Sequence, residues 1–222
     1  MRFMLFPAVL CTLFISSPLV AQVVVCNHLY HDTIYVGTDN RALIKPVGTY
    51  YYATNMPADP QLDSELRHWV ARGAGIDGLA DSSMGFIKPR YTQFFSGMLA
   101  KNADLFNNRV MHGQVNITLG SVCFFGVDGG RPRLVEVRVY MNKGVKHPVV
   151  ISFSKDDQPM AILGGGKPYP LKGVMGNAGL SRAGELKREI ALWTGRNPVG
   201  AETGGPIDIL VLSPRGGVWM RQ

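Results

Sequence analysis

Three cysteines and five histidines hold much of the reactive chemistry in this chain of 222 residues. Cys11 lies inside an apolar leader, so the cysteines that matter are Cys26, in "AQVVVCN", and Cys123, in "SVCFFGV". A thiol becomes a nucleophile when a neighbouring base favours its thiolate, and His112 is the histidine nearest Cys123 in sequence. The other chemistry is a disulfide between Cys26 and Cys123. Lipidation of Cys26 is disfavoured, because Val23, Val24 and Val25 stand where a lipid-attachment signal needs small residues.

The leader decides between bridge and thiol. Arg2 opens the chain, Phe3 to Ile15 carries no charge, Ser16, Ser17 and Pro18 break the run, and Ala21 offers a small residue at the cut. That is the three-part pattern of a secretory signal, and the apolar run is shorter than the ~20 residues a spanning helix needs. Residues 1–21 are therefore expected to leave as a signal peptide, with 22–222 as one domain in the periplasm or outside the cell. Cys11 leaves with the leader. Two cysteines in an oxidising compartment favour the Cys26–Cys123 bridge, and the Cys123/His112 nucleophile is the alternative.

The remaining motifs promise less. His28, His31 and Asp32 crowd together in "CNHLYHD", but extended chain would turn His28 and His31 to opposite faces. His68, His112 and His147 are scattered, so no metal site is expected. "GAGIDG" at 73–78 matches the spacing of a dinucleotide loop but follows a helical pattern, and "LADSSMG" after it lacks helical patterning; a helix stop and loop is expected. In "ILGGGKPYP", 162–170, Lys167 is followed by Pro168 where a phosphate loop needs Ser or Thr. A glycine-rich flap is expected, with Lys167 a binding residue at most. No cofactor is expected. Hydrolase signatures with a nucleophile elbow, H-E-x-x-H or S-x-x-K and its partner motifs are missing. A paired-carboxylate site would have to be assembled in three dimensions; Glu136 sits on a strand pattern, and Glu185 and Glu189 read as a charged helix face.

Charge suggests a different function. The formal net charge is +7, and residues 131–188 carry eleven Lys/Arg against four Asp/Glu. The rest of the mature chain is close to neutral. Such asymmetry suits an acidic partner, screened by salt. Arg138, Lys143 and Lys146, with Lys167, are the expected contact residues. Outside the cytoplasm the partner would be a protein or an anionic envelope component; nucleic acid is not expected, nor a membrane-spanning segment in the mature chain.

Elements must position these residues. Hydrophobic content of 46% against 18% charged residues is that of a folded domain. "LVEVRVYM", 134–141, alternates, with Val135, Val137, Val139 and Met141 on one face and Leu134, Glu136, Arg138 and Tyr140 on the other. "PVVISFS" (148–154) is expected beside it as a hairpin. "VNITL" (115–119), "SVCFFGV" (121–127) and "IDILVL" (207–212) read as strands, and "TIYVG" (33–37) with "TYYYAT" (49–54) as an N-terminal pair. Helices are expected from Pro60 behind an Asp59 cap, near 91–106, and from Ser181 to Gly195. The fold class is α+β: a mainly antiparallel sheet with about three helices packed on it, in one domain after signal removal. The expected function is an exported, non-enzymatic binding module. The alternative is a secreted hydrolase or toxin.

Overall fold

A computed structural model describes residues 23–29, 32–56, 59–143, 149–157, 160–164, 181–193 and 207–220. The expected signal peptide, His31, Lys146, His147 and Lys167 lie outside them. The fold is α+β, with antiparallel sheets and helices.

Among the described residues, ten strands make two five-stranded sheets. One sheet is built from β1 (Val23–Leu29), β2 (Thr33–Thr38), β8 (Met160–Gly164), β9 (Asp208–Ser213) and β10 (Gly216–Trp219), in the order β10-β9-β2-β1-β8. The other holds β3 (Lys45–Val47), β4 (Tyr50–Thr54), β5 (Asn116–Asp128), β6 (Arg131–Asn142) and β7 (Val150–Asp156), in that order. "TIYVG" and "TYYYAT" are therefore not partners. β2 pairs with β1 and β9, whereas β4 pairs with β3 and β5. The physical reason is burial: both faces of β2 and β4 are covered, so each needs a neighbour on either side for its backbone groups.

The sheets pack face to face through Ile34, Val36, Leu210 and Leu212 on one side and Ala53, Cys123, Phe125 and Leu134 on the other. Outside the second sheet lie α1 (Pro60–Ala71) and α2 (Ile76–Lys101), and outside the first lies α3 (Arg182–Trp193). The alternation in β6 sorts its two faces as the sequence implies. Val135, Val137, Val139 and Met141 are fully buried in the core that also holds residues of the two long helices, while Leu134 joins the inter-sheet core. Helix α3 packs against β2 over Gly37, where a Cβ would collide with Ile190 and Leu186.

Helix ends follow their residues. Asp59 accepts a hydrogen bond from the Gln61 N–H at 2.9 Å, with Pro60 in the first turn of α1. Ser181 Oγ accepts one from Gly184 N–H at 3.2 Å at the start of α3. Helix α2 departs from expectation, since it begins at Ile76 and takes in "LADSSMG". Its start is capped from afar: Asp128 Oδ2 accepts the Ile76 N–H at 3.0 Å. Gly75 permits that approach, because a Cβ there would lie 2.6 Å from the same oxygen. "GAGIDG" thus does open a helix, but it follows α1 instead of a strand and its helix N-terminus is taken by a carboxylate of the chain itself. Among the described residues no helix is long and apolar enough to cross a membrane.

Candidate functional site

Cys123 is buried between the sheets, paired in register with Ala53 and Glu136. His112 is exposed, in the turn before β5, with φ +49°. Seven residues of strand separate Asn116 from Cys123, roughly 23 Å at ~3.3 Å each. Backbone bonds hold the turn at the far end of β5: Gly113 N–H donates to Asn107 C=O at 2.9 Å and Gln114 N–H to Met111 C=O at 2.8 Å. The imidazole therefore does not reach the sulfur, and the sequence neighbours Cys123 and His112 are not brought together.

Cys26 pairs in register with Val36, whose own side chain joins the inter-sheet core. The side chains of β1, Cys26 and His28 included, lie outside the described residues. Among the described residues no disulfide is formed. Nor is any group of three or more His, Cys, Asp and Glu side chains placed there to hold a metal ion. His68 is exposed on α1. Of the carboxylate candidates, Glu185 lies half-buried on α3 and the side chain of Glu189 is not described.

The basic section divides into committed and available cations. Arg138 Nη2 donates to Glu136 Oε2 at 2.8 Å, and Glu136 is only 2% exposed. That hydrogen bond raises the guanidinium's pKa further, so Arg138 stays charged and is a structural counterion as much as a surface group. Arg133 reaches Asp77 at 3.1 Å and Asp157 at 3.3 Å, and Lys155 reaches Asp77 at 3.1 Å and Asp81 at 2.8 Å. These pairs fasten α2 to β6 and β7. Hydrogen bonding from Lys155, then the charge of Arg133, holds the Asp77 carboxyl below its ordinary range against a smaller-than-decisive burial penalty. Three cations of the section are thus spent inside the fold.

Lys143 differs. It is exposed at the end of β6, and among the described residues its Nζ donates to a neutral acceptor, Asn107 Oδ1, at 2.8 Å. Its backbone N–H donates to Val115 C=O at 2.8 Å, and the adjacent Asn142 pairs with Asn116 and Val150. Val115, 72% exposed, lies across from it, and Val150, 39% exposed, pairs with the neighbouring Asn142; these are two of the five large apolar side chains exposed among the described residues. Arg109 is exposed on the same short π-helical segment as Asn107. This end of the second sheet therefore sets a cation beside an exposed apolar side chain.

Sequence reading placed Lys143 in the contact set but missed Val115 and Val150, because apolar residues flanking a strand read as core. The commitment of Arg138 was legible: Glu136 and Arg138 stand two apart on one strand face. Arg131, exposed at the other end of β6, lies eleven residues from Asn142, roughly 36 Å along the strand, so the section does not form one patch. A scan against protein-family models gives no match, and a search of curated proteins gives none either.

Proposed function

We propose that the protein is an exported, non-enzymatic binding module, and that it meets an acidic protein partner at the Lys143 end of the second sheet. The observation that carries this reading is exposed Lys143 beside exposed Val115 at this end of the second sheet, with exposed Val150 on the neighbouring strand. Exposed apolar and cationic side chains side by side suit contact with an acidic protein. Lys146 follows in the chain three residues after Lys143 and belongs to the proposed contact by sequence. Arg138 does not, since reversing its charge would set a second carboxylate beside buried Glu136. The enzyme reading loses its Cys123/His112 pair to the separation along β5. Export rests on the leader of residues 1–21, and the pairing of Cys26 with Cys123 rests on the two cysteines that remain in an oxidising compartment once it is removed.

Titration with poly-L-glutamate tests the reading. Affinity falls as salt rises, because exposed charges are screened over about 8–10 Å near physiological ionic strength. Lys143→Glu with Lys146→Glu weakens binding, whereas Arg131→Glu, at the opposite end of β6, leaves it unchanged. Salt-independent binding, or equal loss from Arg131→Glu, contradicts the proposal. Tighter binding to polygalacturonate, an anionic polymer without peptide groups, would move the partner to an envelope component.

A further inference from the structure

At the edge of the first sheet, β10 brings apolar side chains to the surface. Val218, 68% exposed, and Met220, 41%, are two of the five large apolar side chains exposed among the described residues. The register continues Val218 inward along the outer face of the sheet. Val218 pairs with Val211 and Val211 with Tyr35, and both of these are half-buried against the core under α3. Opposite side chains on neighbouring strands lie about 4.5–5.5 Å apart, so Tyr35, Val211 and Val218 form one apolar row that runs from α3 out to the sheet edge.

The backbone at that edge is open as well. Among the described residues β9 is the one strand hydrogen-bonded to β10. Met220 N–H donates to Ile209 C=O at 2.9 Å, and the alternation of an antiparallel ladder then turns the backbone groups of Gly216 and Val218 toward β9. Those of Gly217 and Trp219 point away from the sheet, with no partner among the described residues. Edge strands commonly carry a charge or a proline against pairing, and Gly216–Trp219 carries neither.

The cations beside this edge select its occupant. Arg41 is committed, since it pairs with Asp208 at 3.1 Å and stacks over the Trp219 ring at 4.5 Å. Arg215, in the turn that leads into β10, is exposed and forms no ion pair among the described residues. A second copy joined through this edge, with Gly217 opposite Trp219, sets Arg215 opposite position 221, also an arginine. Like charges directly opposite are destabilising, whereas an acid in that place is stabilising.

We infer that β10 receives an extended segment of a partner protein as an added antiparallel strand, with a β-branched residue opposite Val218 and an acid opposite Arg215. Main-chain hydrogen bonds to Gly217 and Trp219 hold the segment, and the side chain opposite Val218 lengthens the apolar row. The site is on the other sheet from Lys143 and does not rest on that contact.

The test is an NMR titration with the peptide acetyl-Val-Thr-Val-Thr-Ser-Glu-amide, whose second valine falls opposite Val218 and whose glutamate falls opposite Arg215 in an antiparallel pairing. Saturable shifts with a dissociation constant on the order of 1 mM are expected. In the complex the Gly217 and Trp219 amides exchange more slowly with solvent, while that of Val218, already turned toward β9, changes little. N-methylation of both threonines, whose N–H groups face Gly217 and Trp219, abolishes binding. Val218→Ser, at an exposed position that leaves the fold intact, weakens it roughly tenfold, the scale of one apolar side chain buried. A lysine in place of the glutamate weakens it as well. Absent binding, unchanged exchange at Gly217 and Trp219, or binding that survives N-methylation overturns the inference. So does a concentration-dependent dimer in which those two amides are already protected, which would give the edge to a second copy.

Discussion

Arg138→Ala offers the sharpest test of how the basic section is used. Glu136 is 2% exposed, flanked in register by Cys123 and by Asp156 on the adjacent strands, and its described counterion is Arg138 at 2.8 Å. Removing the guanidinium leaves a buried carboxylate beside a second acid. Breaking a fully buried pair costs about 3–5 kcal/mol. The Arg138 side chain is 37% exposed, so water screens part of the interaction, and a loss of about 2–3 kcal/mol is expected. For a chain of this size that is roughly 5–10 °C in Tm. Urea unfolding with unchanged slope reads the loss directly. The double variant Glu136→Gln/Arg138→Ala, which removes the unpaired charge, recovers most of it, giving a coupling energy well above the noise of such cycles. An Arg138→Ala variant within about 0.5 kcal/mol of wild type would refute the reasoning and return Arg138 to the pool of surface contacts.

Asp77→Asn removes the carboxylate shared by Arg133 and Lys155, and lowers stability by about 1 kcal/mol at neutral pH, as exposed networks do. Because the folded pKa of Asp77 is lowered, its contribution is present above the unfolded value and lost as pH falls through the folded one; the two proteins converge in acid, and a gap that widens there would contradict this. Gly75→Ala displaces Asp128 from the Ile76 N–H and costs about 1–2 kcal/mol, the value of a helix cap, in thermal unfolding; no change would show that Asp128 is not the cap. Intact mass of exported material begins near Gln22 and reads a Cys26–Cys123 bridge, and Cys26→Ser melts lower by the equivalent of about 2–5 kcal/mol until reductant is added. A native protein that alkylates at both cysteines, or an acyl group on Cys26, would contradict it.

Local patterns were the legible part of this chain. Asp59-Pro60, the spacing of Leu186 and Ile190, and the alternation of 134–141 each depend on residues a few places apart, and each gives its element. Pairing was not legible, because β2 finds β9 across some 170 residues and no local feature of "TIYVG" or "TYYYAT" names a partner. Helix α2 was half hidden for the same reason. Its first turns bury Ile76, Leu79, Ala80 and Ile87 at helical spacing, but the glycines at 75 and 78 and the want of a local cap hide the start, which Asp128 and ion pairs to β6 and β7 hold from positions distant in sequence. The basic section shows the limit for function: eleven cations in one stretch suggest one surface, yet Asp77, Asp81 and Glu136 take up three of them and β6 carries Arg131 and Lys143 to opposite ends.

The measurement that tests the central claim most directly is amide NMR mapping of the poly-L-glutamate complex on the mature protein. The account predicts shifts gathered at Asn107, Val115, Lys143 and Val150, which vanish as salt is raised. Shifts centred on Arg131, spread evenly over both sheets, or indifferent to salt would contradict it.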